Sequence, residues 1–194
     1  MRKKLSLLTW CVIASGWLPA CGGAAQVPPM EVRALTAAAP AASESPSSQR
    51  VIDACESSFD DNQDDCNAFV KAVATQLHVS LPADANADAL VDYMSSTPSG
   101  WTKLPDGDGA RAEQDAAAGK FVIAGLRGSE QKSPQRNGHV CVVVKGSLDA
   151  NGYPPGYWGS ISQGVARKNA SLRKAWNGDD IGKVHYFSKP LTSI

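Results

Sequence analysis

"DDCNAFVKAVATQL", residues 64–77, is the stretch on which the fold turns. Cys66, Phe69, Val70, Val73 and Leu77 recur at a spacing that lays side chains along one face of a helix with 3.6 residues per turn. The short acidic residue just before the run, Asp64 or Asp65, is a natural N-cap, because its carboxylate accepts from backbone N–H groups that have no partner within the helix. The segment therefore predicts an amphipathic helix whose buried stripe opens on a thiol, at the positive end of the helix dipole. A cysteine so placed has three readings: nucleophile, half of a disulfide, or core filling, the ordinary fate of a free thiol.

Working outward, residues 48–59 predict a first helix carrying Val51, Ile52 and Cys55. Pro82 ends the central helix region, and "DANADALVDYMSS" (84–96) predicts a third helix with Leu90, Val91 and Met94 on its apolar side. After Gly100 the period becomes strand-like. "KFVIAGL" (120–126), "GHVCVVVKG" (138–146), "YWGSIS" (157–162) and "KVHYFS" (183–188) are short β-prone runs divided by Gly, Pro and Asn turn signals. Helices followed by an antiparallel meander predict an α+β domain. Along 138–146, Val140, Val142 and Val144 point one way and His139, Cys141 and Val143 the other. "SQGVARKNASLRKAW" (162–176) is modestly basic and reads as a solvated helix face.

The N-terminus has another character. Arg2, Lys3 and Lys4 precede an apolar stretch from Leu5 to Leu18, the pattern of a secretory signal, and too short to span a bilayer. It ends in "LPACGG" (18–23), which resembles the lipobox of bacterial lipoproteins and makes Cys21 the lipid attachment site; Pro19 is an unusual spacer there, which leaves plain cleavage open. Residues 1–20 are thus expected to be a signal peptide. Residues 21–49, rich in Ala, Pro and Ser, bury too little apolar surface to offset their ordering entropy and read as a disordered tether. Residues 50–194 form the domain. These features predict an exported protein of the periplasm or cell envelope, reaching the membrane only through its N-terminal lipid.

Nineteen basic and nineteen acidic side chains balance. Loss of the three leader cations tips the remainder acidic, and the absence of a basic stripe argues against nucleic acid as partner. No HExxH, CxxC or clustered acidic ligand set occurs, so no metal or other cofactor is expected. Cys55, Cys66 and Cys141 remain in the domain, an odd number for an oxidising compartment, so one is a candidate reactive thiol. Cys55 reads as a core thiol or a partner of Cys141, and Cys141 as packing beneath a site. His78 ends a helix, where a cation is favoured, and His185 reads as structural.

If the thiol-bearing face of the helix meets the imidazole-bearing face of the sheet, Cys66 and His139 become neighbours. A helix N-terminus and an adjacent imidazolium then lower a thiol from about 8.5 to roughly 3.5–7.5, yielding a thiolate at neutral pH. His139 serves as general base and acid, while N–H groups at the helix start, that of Cys66 included, face a developing oxyanion.

The order and spacing of "DDCNAFVKAVATQL", "ANADALVDYM", "GWTKL", "GKFVIAGL", "GHVCVVVKG", "YWGSIS" and "AWN" resemble the first family of type VI secretion amidase effectors, over nearly all of residues 51–191. These are small papain-like enzymes of the NlpC/CHAP type. The resemblance implies N-terminal helices on an antiparallel sheet, and a monomeric cysteine amidase cutting peptidoglycan peptide stems, typically between γ-D-glutamate and diaminopimelate. It assigns Cys66 as nucleophile and His139 as general base, and leaves the third group open among Tyr157, Ser160 and a backbone carbonyl. An immunity-type protein inhibitor is a further expected partner. Two features depart from the family: the segment "RGSEQKSPQRN" (127–137) is long, and the export signal is foreign to injected effectors. The expected role is therefore wall hydrolysis from the cell envelope. The alternatives are a toxin with the same chemistry, a non-catalytic wall-binding lipoprotein that kept the fold in degenerate form, or a scaffold in which Cys66 is locked to Cys55. Selective alkylation of Cys66 near neutral pH is expected of the amidase and not of the scaffold.

Overall fold

The computed structural model describes residues 45–160 and 164–192. The leader, Cys21 and most of the expected tether lie outside that range. So does the end of the strand expected over 157–162. Helix α1 spans Pro46–Asn62, α2 Cys66–Gln76, α3 Ala87–Ser95 and α4 Gly109–Ala117. The strands are β1 Thr102–Lys103, β2 Phe121–Leu126, β3 His139–Val143, β4 Pro155–Trp158, β5 Arg167–Ser171 and β6 His185–Lys189. Because α1 begins at Pro46, the last residues assigned to the tether are already helical.

Each predicted helix forms for the reason its sequence suggests. Asp65, not Asp64, caps α2: its Oδ1 accepts from the N–H groups of Asn67 (2.7 Å) and Ala68 (2.9 Å). The stripe of Cys66, Phe69, Val70, Val73 and Leu77 is buried throughout. Asn86 caps α3 through the Ala89 N–H at 2.9 Å. The first two helices pack through an edge-on Phe59–Phe69 pair, ring centroids 5.7 Å apart. The Gln76 side chain joins them polar to polar, donating to Ser58 Oγ at 2.8 Å and accepting from Ser57 Oγ at 2.8 Å.

The six strands make one antiparallel sheet in the order β1-β6-β2-β3-β4-β5. Strands β2 to β4 form the first part of the expected meander, and β5, from the segment read as a helix face, continues it. The last strand does not extend it but returns to the far side of β2, with β1 outside it. Helices α1 to α3 cover the face that carries Val140, Val142 and Val144. The other face carries Val122, Ala124, Cys141 and Val143, and is covered by α4 and by Trp158, Leu172 and Trp176.

Two local readings change. Helix α4 was not expected, because its contribution to the core is only Ala112 and Ala116, too small an apolar signal to register as a stripe. The basic segment 162–176 contains the edge strand β5 and a 3₁₀ turn at Leu172–Lys174 rather than a solvated helix. Its cations serve as an edge guard: Lys168 meets Glu56 (3.3 Å) and Asp60 (3.2 Å) and lies over the Phe59 ring.

Candidate active site

Cys66 is the first residue of α2, and where α2 begins is decided by a junction with the end of β4. The Ser160 N–H donates to Gln63 O at 2.6 Å, Ser160 Oγ donates to Asp64 O at 3.0 Å, and the Cys66 N–H donates to Ser160 O at 3.1 Å. Gly159 permits this approach, since a Cβ there would lie 2.6 Å from Asp65 O. Beyond Trp158 the sheet thus gives way to the start of α2. The helix packs on β3, and the N–H of Val140, in the peptide that joins His139 to Val140, is near enough to the sulfur to favour its anion.

The two side chains do not share the face on which they were expected to meet. Cys66 belongs to the Val140 face, whereas His139 follows the parity of Cys141 and Val143 and lies edge-on to Trp176, centroids 5.3 Å apart. They do not meet across a single face. The sulfur instead lies near the strand itself, at the peptide following His139. Cys141, on the opposite face, feels the charge of Cys66, as a group close behind it would.

The electrostatics reverse the expected thiolate. Burial pushes the Cys66 thiol up to about 11; the N–H of Val140 is the largest opposing influence, and the Asp65 carboxylate adds to the rise. Cys66 is 3% exposed, and its thiol donates to Asn67 Oδ1 at 3.7 Å. Burial pulls His139 down to about 4, and its buried Nδ1 has no hydrogen-bond partner. At neutral pH the resting pair is thus a thiol and a neutral imidazole. The expected oxyanion donors are also spoken for: the N–H of Cys66 by Ser160 O, and those of Asn67 and Ala68 by Asp65.

A cleft of about 510 Å³ opens onto His139. One wall is the segment 131–137, with Gln131, Gln135, Arg136 and Asn137; the other runs from Ala175 to Asp180. Sequence reasoning missed the residue that holds the first wall. Asp88 on α3 accepts from the N–H of Gly128 (3.0 Å) and of Gly138 (2.7 Å) through a single oxygen, pinning both ends of the long loop and the residue before His139. Gly138 has no room for a side chain, since a Cβ would lie 2.3 Å from Leu126 O. In sequence Asp88 looks like an ordinary first-turn acid of α3, so nothing there marks its partners.

The other predicted residues fall elsewhere. Tyr157 turns to the helical face and donates to Glu56 Oε1 at 2.6 Å, and Ser160 donates to Asp64 O, so neither orients His139. Cys55, Cys66 and Cys141 are free thiols. Cys55 lies in the helical core and Cys141 beneath the other face. His78 adopts a left-handed backbone (φ 56°) just past α2. His185 is structural, its ring nitrogens lying 2.8 Å from Asp106 Oδ1 and 2.9 Å from Glu130 Oε1. Among the described residues no group of acids, histidines and cysteines is arranged to hold a metal ion.

No family model matches the chain. Over 154 residues, however, it is 37% identical to peptidoglycan amidase Tse1 of Pseudomonas aeruginosa, an alignment spanning 75% of this chain and 92% of Tse1. The chain belongs to the Tse1 family. The resemblance to type VI secretion amidase effectors is thereby established. The layered α+β fold, with helices α1 to α3 packed on an antiparallel sheet, is the papain-like arrangement expected of that family. Among the described residues of this Tse1 relative, no helix is long and apolar enough to cross a membrane.

Proposed function

We propose that the protein is a peptidoglycan amidase that cuts the peptide stem by thiol chemistry, with Cys66 as nucleophile and His139 as general base and acid. The observation that carries this reading is the junction of α2 with β3: in a chain of the Tse1 family, the sulfur at the first helical position lies near the peptide bond of the residue that bears the cleft's imidazole. The bond most in keeping with the family resemblance is that between γ-D-glutamate and diaminopimelate.

Because both groups rest neutral, the proton moves during attack rather than before it. The Cys66 sulfur adds to the γ-carbonyl carbon as its proton passes to His139, giving a tetrahedral oxyanion and an imidazolium. Collapse expels the diaminopimelyl amine, which takes the proton from His139, and leaves a γ-glutamyl thioester. Water, deprotonated by His139, then hydrolyses the thioester and restores the thiol. In the resting arrangement the cleft reaches His139 but not the sulfur, so turnover requires a side-chain movement that exposes Cys66.

The test is digestion of diaminopimelate-type sacculi by the purified domain, with products identified by mass. Release of stem fragments by wild type, and none by Cys66→Ala or His139→Ala, is the expected result. Intact sacculi with wild-type protein under reducing conditions would favour the second reading, a wall-binding scaffold. The burial and neutrality of both groups are what recommend that alternative. Export, acylation of Cys21, residence in the cell envelope, a monomeric state and an immunity-type inhibitor complete the proposal. Metabolic lipid labelling of wild type against Cys21→Ser checks the anchor.

A further inference from the structure

Three cations around the cleft are matched. Lys132 pairs with Asp179 at 2.7 Å, Lys183 with Asp180 at 3.0 Å, and Arg127 with Asp92 at 2.7 Å and Glu130 at 3.0 Å. Arg136, which lines the cleft with His139, makes no hydrogen bond or ion pair among the described residues. The acid in the cleft does not answer it. Asp180 is buried, and its oxygens already accept from the Lys132 N–H (2.7 Å), Lys183 Nζ (3.0 Å) and Asn177 Nδ2 (2.6 Å). The cleft thus presents one uncompensated guanidinium among neutral carboxamides.

The backbone beneath Arg136 is held although its side chain is free. Asp88 fixes the loop at Gly128 and Gly138, the neighbouring Gln135 N–H donates to Gly128 O at 3.0 Å, and the Lys132 N–H is tied to Asp180. A guanidinium on an anchored loop presents a planar fork that matches a carboxylate.

We propose that Arg136 is a specificity residue that binds a free carboxylate of the peptide lying in the cleft beside His139. This rests on the amidase reading and adds to it the feature the substrate must carry. A γ-linked glutamyl residue keeps its α-carboxylate next to the scissile bond, and diaminopimelate brings carboxylates of its own on the other side. The long segment 127–137, a departure from the family pattern, is then the loop that reads charge.

Synthetic stem peptides distinguish these sources. One carries all carboxylates free, one has the glutamyl α-carboxylate amidated, and one has the diaminopimelyl carboxylates amidated. Wild type should lose about tenfold in kcat/KM on one of the two amidated stems, the scale of one charge-assisted hydrogen bond. R136Q should lose about tenfold on the free stem, chiefly through KM, and nothing further on that same amidated stem. Wild type indifferent to both amidations, or R136Q weakened by one factor on every stem, would overturn the carboxylate site while leaving the amidase intact. Wild type that cleaves none of the three would overturn the amidase reading, and this inference with it.

Discussion

Cys66 and His139 each carry a proton affinity set by burial, and the two shifts have opposite consequences for stability. His139 is held at about 4 against an ordinary 6.5. Below 6.5 the unfolded chain takes up a proton that the native state refuses, so the stabilisation present above 6.5 is lost as pH falls towards 4. The loss is roughly 3 kcal/mol. For Cys66, held near 11 against 9.0, the native state keeps a proton the unfolded chain gives up. Its contribution is complete below pH 9 and fades as pH rises to about 11. Denaturant midpoints across pH should therefore plateau between about 6.5 and 9, and His139→Gln should flatten the acid limb. An acid limb that stays unchanged in the variant would count against a neutral, buried His139. At the same scale, the ready alkylation near neutral pH that the sequence suggests gives way to its opposite. Iodoacetamide should label Cys66 slowly at neutral pH and faster as pH climbs, because burial disfavours the thiolate, so sacculus digestion and not labelling separates amidase from scaffold.

At the scale of elements, the telling contact is Asp88 of α3 on the neck of the cleft loop. Gly128 and Gly138 are both buried, so removing the carboxylate orphans two backbone donors at a cost of about 1–3 kcal/mol each. Asp88→Ala should lower the melting temperature and also kcat, since Gly138 directly precedes His139. Asp88→Asn keeps one oxygen in place and should recover most of both. If Asn proves as damaging as Ala, the carboxylate acts by charge rather than by holding the neck. The elements themselves were legible to different degrees. Helices α1 to α3 and strands β2, β3, β4 and β6 announce themselves through local period and caps. Helix α4 does not, because Ala112 and Ala116 bury too little surface to mark a face, and β5 does not, because an edge strand with Arg167 and Lys168 reads like any solvated segment.

For the molecule as a whole, the site depends on two layers meeting at one corner of the sheet. That corner is narrow enough for a single methyl group to test. Gly159→Ala would set a Cβ 2.6 Å from Asp65 O and force the start of α2 away from β4, an overpacking cost of about 1–3 kcal/mol. Thermal unfolding should register the loss of stability, and sacculus digestion should fall further than stability alone explains, because the sulfur moves off the Val140 N–H. By itself the sequence determined that a thiol opens an amphipathic helix, that an imidazole opens a buried strand, and which valines share a face. Those properties follow from 3.6- and 2-residue periods and from a capping carboxylate, all settled within a dozen residues of chain. Only the tertiary structure decided that the sulfur lies on the Val140 face while the imidazole lies against Trp176, that both groups rest neutral, that the helix-start donors are already engaged, and that Asp88 holds the loop before His139. Each of these depends on which distant residues exclude water or supply a partner, and a hydrogen bond between positions 88 and 138, or 66 and 160, leaves no trace in local spacing.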